Sequence, residues 1–175
     1  MKNDFFDSLM PILRDKYTWL PLYAIIVAFV IKNYGLKSLY VLGFAALTFL
    51  VADQLSAHVI KPLVQRARPC NDACIRQWVH NLVDCGSGYS FVSSHATNHF
   101  AIGMYFITVF ARPSNRLWVI PTFLLWASLV AFAQVYVGVH YPFDVIGGAI
   151  LGIIIGLTFG WLNRFVLCTR CGKKI

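Results

Sequence analysis

Five apolar stretches take up most of this chain and restrict the environment it can fold in. They run from Tyr17 to Ile31, from about Ser38 to Ile60, from Ala96 to Ala111, from Leu117 to Val139 and from Val145 to Leu162. Asp53 is the one formal charge inside them. A helix needs about 20 apolar residues to cross a hydrocarbon core of about 30 Å. The first and third stretches are short by that measure, so flanking residues or local bilayer thinning would complete them. The whole chain is 58% hydrophobic and only 13% charged, which is too apolar for an ordinary soluble domain. At 175 residues it is also short for two domains. The expectation is an all-α integral membrane helical bundle, a single domain over 1–175 with about five transmembrane helices. Residues Asn3 to Arg14 mix Phe5, Phe6, Leu9, Met10, Ile12 and Leu13 with charges, a pattern suited to an N-terminal helix lying in the interface. Lys2, Asp4 and Asp7 lead into that mixed segment, unlike the charged start and apolar run of a signal peptide.

Charge narrows the partners. Fifteen Lys and Arg stand against seven acids, all Asp, for a net +8. The cations are scattered between apolar spans and form no single stripe, which argues for anionic lipid and a phosphate site over nucleic acid. Alternating spans place Lys32, Lys37, Arg112, Arg116, Arg164, Arg170, Lys173 and Lys174 on one face of the membrane. Lys2, Arg14, Lys16, Lys61, Arg66, Arg68 and Arg76 fall on the other. The positive-inside rule then favours a cytoplasmic tail. Five cysteines fall into two groups. Cys70, Cys74 and Cys85 share one loop, where an oxidising exterior would allow one disulfide whose pairing stays open. Cys168 and Cys171 form a C-x-x-C in a tail without histidine, a poor zinc site.

Three polar clusters occur at the ends of these spans, and alternation of the spans brings them to one face. Lys61 and Arg68-Pro69 bracket the start of the loop that follows the second span. Ser93-Ser94-His95 opens the third, and His140 and Asp144 flank the start of the fifth. Alone, each has an ordinary reading: cations snorkelling to lipid phosphates, a serine N-cap, an acidic first turn. Together they have a joint chemistry. An Arg fork beside a Lys point charge holds a phosphoryl group. Backbone N–H groups and hydroxyls at a helix start bind its oxygens. An Asp four residues from a His can accept a ring N–H, fixing the tautomer that leaves the other nitrogen free to attack. Pro142 suits the first turn of the helix that carries Asp144. His95 can protonate a leaving oxygen. His95 and His99 also match the H-x-x-x-H spacing of metalloproteases, but that motif requires a Glu and the chain contains none.

In this order and spacing the clusters resemble the type-2 phosphatidic acid phosphatase superfamily, which includes the vanadium haloperoxidases. The first motif, K-x6-R-P, is matched from Lys61 to Pro69. The second, P-S-G-H, is matched in part by Val92-Ser93-Ser94-His95. The third, S-R-x5-H-x3-D, is matched at His140 and Asp144, with Ala133 and Gln134 where Ser and Arg stand in the family. The resemblance covers about residues 61–148. It implies that His140 attacks phosphorus to form a phosphohistidine, that Asp144 orients it and that His95 protonates the departing oxygen. Lys61, Arg68, Ser93, the backbone at Ser94 and Gln134 would hold the phosphoryl oxygens, with no metal and no other cofactor. Gln134 donates a hydrogen bond but no charge, so one cation of the family pattern is missing, and Arg66 or Arg76 is the expected substitute.

The function expected is therefore a metal-independent phosphatase of a membrane lipid, such as phosphatidic acid, phosphatidylglycerol phosphate, a polyprenyl pyrophosphate or lipid A. It would work at the outer, periplasmic face of a cytoplasmic membrane, with the lipid and the bilayer as its partners and no protein partner or nucleic acid. The rivals are a lipid-to-lipid phosphotransferase and a non-catalytic member that binds or translocates phospholipid. Elsewhere, Gly148, Gly152, Gly156 and Gly160 form a stripe for close helix packing. Asp53 and His58 are expected to face the bundle and satisfy each other or a neighbour. Trp19, Trp118 and Trp161 mark span ends.

Overall fold

The computed structural model describes residues 3–171, without the side chains of Arg170 and Cys171. Lys2, Lys173, Lys174 and those two side chains, all part of the charge and cysteine readings above, lie outside the described residues. Among the described residues there is no strand. Seven α-helices follow one another among the described residues: α1 (Asp4–Arg14), α2 (Leu20–Tyr34), α3 (Ser38–Gln54), α4 (Lys61–Val64), α5 (Ser94–Phe110), α6 (Arg116–Tyr136) and α7 (Pro142–Cys171). Each expected span is helical, with shifted bounds. The first begins later, because Lys16–Trp19 forms a 3₁₀ turn capped by the Asp15 carboxylate. The third begins at Ser94, because the Ser93 side chain accepts from the Ala96 amide and starts the helix earlier. The fifth runs on to Cys171, nine residues beyond the expected end. Among the described residues three stretches are long and apolar enough to cross a membrane: Lys16–Asn71, Arg116–Tyr136 and Pro142–Thr169.

The loop expected from Lys61 onward also begins later. Leu55–Ile60 is a π turn, and Lys61–Val64 returns to α geometry before Gln65 ends it in a left-handed conformation at φ 53°. The wider π turn rotates Lys61 relative to the α3 register, an adjustment that recurs at functional sites. Asp53 accepts from the Asn98 side chain at 3.0 Å, while His58 is exposed. Asp53 therefore takes a neighbour on α5 as its partner, as the sequence reading allowed, whereas His58 does not face the bundle.

The glycine stripe sets the central contact of the bundle. A Cβ at Gly148 would stand 2.6 Å from the Ser93 carbonyl oxygen, and one at Gly160 would stand 2.6 Å from Thr108 Cβ. At Gly152 and Gly156 it would strike the carbonyls of Thr97 and Ala101. Only hydrogen at these positions lets α7 lie backbone to backbone against α5, the most extensive helix pairing in the molecule. On the other side of α7, Ile146, Ile150 and Ile154 are more than half exposed, as expected of a lipid-facing surface. A second cluster joins Ile26 and Val30 of α2, Val41 and Ala45 of α3 and Tyr105 and Phe106 of α5. Within it the Tyr105 hydroxyl donates to the Val41 carbonyl at 2.6 Å. Helix α1 packs on the site end of α6, with buried Met10 against Ala133, Val137 and Val139.

Candidate active site

The close α5–α7 packing brings the second and third motifs together. The Ser93 amide donates to the Asp144 carbonyl at 3.0 Å, which links the start of α5 to the first turn of α7. The α7 helix starts at Pro142, as the sequence implied, and the Asp144 side chain is completely buried. Three donors saturate its carboxylate. Arg66 Nη1 bonds Oδ1 at 2.8 Å, the Tyr141 amide bonds Oδ2 at 2.9 Å, and the Ser90 hydroxyl also donates to Oδ2.

His140 lies 3.6 Å from Asp144 through Nδ1 and Oδ2, beyond hydrogen-bond distance. Its nearer partner is Ser90 Oγ, 3.3 Å from Nδ1. The Ser90 proton is already committed to Asp144, so Ser90 Oγ can only accept from His140. The network therefore assigns the ring proton to Nδ1 and leaves the Nε2 lone pair free. Burial holds His140 below the ordinary histidine value of 6.5, and Lys61 and Arg68 push it further down against the pull of Asp144. The imidazole is thus neutral at neutral pH, the form a nucleophile needs. Ser90 itself is completely buried. No sequence pattern marked it, since it meets Asp144 only when the loop between α4 and α5 folds back, its amide donating to the Arg66 carbonyl at 2.8 Å.

His95 follows the serine pair in the first turn of α5, where the positive charges of Arg14 and Lys61 act on it. Its neighbour His99 is occupied inside the bundle. His99 Nδ1 donates to the His95 carbonyl at 2.8 Å, and Nε2 faces the Tyr23 hydroxyl at 3.5 Å. Ser93 is buried, and Ser94 Oγ is buried without a protein hydrogen-bond partner. Lys61 is half-buried within the fields of Arg68, Asp53 and Asp144. Arg68 donates Nε to the Gly88 carbonyl at 2.9 Å and Nη1 to that of Cys85 at 2.6 Å, which leaves Nη2 for a ligand. Cys85 is itself bridged to Cys70, so the disulfide fixes the segment that orients Arg68. That pairing was open in the sequence; Cys74 is the free, exposed member of the three.

Gln134 is completely buried on α6, and neither end of its amide has a hydrogen-bond partner. The cations expected to replace its missing charge do other things. Arg66 neutralises Asp144 and stacks over the Tyr141 ring, 3.8 Å from its centroid. The Tyr141 hydroxyl in turn donates to Asp72 at 2.9 Å, which with the Cys74 amide keeps that carboxyl below the usual range. Arg76 is exposed in a 3₁₀ turn of the outer loop. Beside the site a cavity of about 890 Å³ opens between α2, α3, α5 and α6. Ile26, Phe49, Ile102, Phe106 and Trp126 make its walls apolar, and Ser94 and His95 line it as well.

This arrangement can hold an anionic group beside a neutral imidazole nucleophile, with a second imidazole available for proton transfer and an apolar space for chains. The chain is similar to known proteins. The model of the PAP2 superfamily matches residues 35–166. The lipid A 4'-phosphatase of Bacteroides thetaiotaomicron is 34% identical over 167 residues, 94% of this chain and 71% of that protein. The lipid A 4'-phosphatase of Porphyromonas gingivalis is 27% identical over 160 residues, 89% of this chain and 65% of that protein. Among solved structures, the transmembrane PAP2 type phosphatidylglycerolphosphate phosphatase from Bacillus subtilis superposes with a TM-score of 0.72. It is 25% identical, over 95% of this chain and 80% of that one.

Proposed function

The chain belongs to the PAP2 superfamily, and from that premise we propose that it removes phosphate from a membrane lipid through a phosphohistidine on His140. The observation that carries the mechanism is the Ser90 bridge, which commits the Nδ1 proton and leaves Nε2 free. In the first step Nε2 attacks phosphorus in line, a P–N bond forms and the P–O bond to the lipid breaks. His95 gives its proton to the departing oxygen, and Lys61, Arg68, Ser93 and the Ser94 backbone carry the charge on the phosphoryl oxygens. In the second step His95 accepts a proton from water, the water oxygen bonds phosphorus and the P–N bond breaks. Those cations supply the electrostatic stabilisation, so no metal enters either step.

The substrate we favour is a phosphate monoester on a glycolipid of the lipid A type, because the two relatives named as lipid A 4'-phosphatases align along nearly the whole chain. Phosphatidylglycerol phosphate is the second reading, supported by the Bacillus subtilis structure. A site at helix ends lets such a lipid keep its chains in the bilayer, beside the apolar cavity, while its phosphate reaches His140. We place five crossings at α2, α3, α5, α6 and α7, with α1 in the interface. The cation balance of the loops and the Cys70–Cys85 disulfide support a cytoplasmic membrane with the site on its outer face. The test is phosphate release by the detergent-purified protein from lipid A, phosphatidylglycerol phosphate, phosphatidic acid and a polyprenyl pyrophosphate, with a chelator present. Release from lipid A above the other three, absent in His140→Ala, is expected. No release from any lipid, or transfer of phosphate to a second lipid, would overturn the hydrolase reading.

A further inference from the structure

The site contains more positive charge than its motifs account for. Arg14, in the last turn of α1, is half-buried, and its Nε is buried without a hydrogen-bond partner. Among the described residues no carboxylate lies within ion-pair distance of it. Its neighbour Asp15 is exposed and turns its carboxylate to the Tyr17 amide at 2.7 Å. Nor is Arg14 needed to cap its own helix. The Ile12 carbonyl already accepts from the Thr18 hydroxyl at 2.7 Å, and the Leu13 carbonyl accepts from the Trp19 indole at 2.9 Å.

Those two bonds fix the turn that carries Arg14. Met10, one turn earlier on the same face of α1, packs against Ala133, the residue beside Gln134. Just beyond Arg14, Lys16 and Tyr17 line the same cavity as Ser94 and His95, so the end of α1 meets the start of α5, and the Arg14 charge bears on Arg68 and His95 there. Arg14 therefore adds a cation at the end of the bundle that holds Lys61 and Arg68, where the completely buried carboxylate of Asp144 is already paired with Arg66. A half-buried guanidinium without an acid is costly unless an anion joins it, and it is the group best shaped for phosphoryl oxygens.

We propose that Arg14 is the third phosphoryl-binding cation of this site, supplying from the N-terminal helix the charge that Gln134 does not bring to α6. The inference rests on the phosphatase reading above. Arg14 lies before residue 35, where the family match begins, and outside the three shared motifs.

The test compares full-length wild type, Arg14→Met, which keeps most of the packing stem, and Arg14→Lys, which keeps the charge. Two readouts are taken in detergent: kcat for phosphate release, and the rise in melting temperature on adding orthovanadate, an analogue of the transferring phosphoryl group. Arg14→Met is expected to melt within a few degrees of wild type, to lose about 10²-fold in kcat and to lose most of the vanadate shift. Arg14→Lys should recover part of both. An Arg14→Met protein that hydrolyses and responds to vanadate like wild type overturns the proposal. So does one in which Met and Lys are equally slow, melt early and keep the vanadate response, because that marks a packing role. Wild type that releases no phosphate from any lipid overturns the phosphatase reading instead, and the vanadate comparison still decides Arg14.

Discussion

Replacing Asp144 with Asn tests the polar network at its tightest point. Every neighbour of the carboxylate is a donor: Arg66 on Oδ1, and Ser90 and the Tyr141 amide on Oδ2. An amide offers one oxygen and one NH₂, so either orientation sets two donors against each other. With NH₂ toward Ser90, the serine hydroxyl must turn its proton to His140. The ring proton then moves to Nε2 and the nucleophile is lost. With NH₂ toward Arg66, the nucleophile survives and an arginine is left unpaired. A carboxylate-to-amide change that traps a catalytic histidine in the wrong tautomer costs on the order of 10⁴ in kcat. Escape through the second orientation lowers the expectation to about 10²–10⁴, or about 2.7–5.4 kcal/mol at about 1.36 kcal/mol per decade. Stability should fall by about 1–3 kcal/mol for one buried donor left unsatisfied. The Arg66 pair itself adds little, because that side chain is 37% exposed. The assay is kcat/KM for phosphate release with the melting temperature measured in parallel. Asp144→Asn with activity within threefold of wild type and a lowered melting temperature would refute the reasoning, reducing Asp144 to a structural anchor.

Ser90→Ala removes the bridge but leaves the carboxylate 3.6 Å from Nδ1; kcat should fall about 10-fold, well short of Asp144→Asn, and an unchanged kcat would exclude the bridge. The pH profile follows from the sign of the His140 shift. The reactive form is neutral and its folded value lies below 6.5, so kcat/KM should hold as pH falls through 6.5 and drop only at lower pH. An acid limb with its midpoint above 7 would contradict this. Gly152→Leu forces a side chain into the Thr97 carbonyl and should destabilise the bundle by about 1–3 kcal/mol or more, with loss of activity. Ile150→Ala, on the lipid-facing side of the same helix, should change the melting temperature in detergent far less.

Much of this was legible in the sequence because it depends on local spacing. The apolar runs marked the helices, the four-residue glycine repeat marked a face of α7 for close packing without naming α5 as its partner, and Pro142 marked the start of α7. What stayed hidden depends on chain returning from a distance. Ser90 meets His140 across 50 residues, and Arg66 meets Asp144 across 78, through a loop without regular pattern. The π turn at Leu55–Ile60 could not be read either, since its residues are equally at home in an α-helix. Arg14 looked like one more interfacial cation. Only the packing of Met10 against Ala133 and Val137 carries it to the site end of the bundle.

The central claim is the covalent intermediate on His140, and it can be observed directly. Protein carrying His95→Ala, in which release of phosphate by water is slowed, would be mixed with lipid substrate, quenched in alkali and digested for mass spectrometry. One added phosphate is expected on the peptide containing His140, abolished by His140→Ala. Phosphate release by wild type with no labelled His140 peptide in either protein, or with the label on another residue, would contradict it.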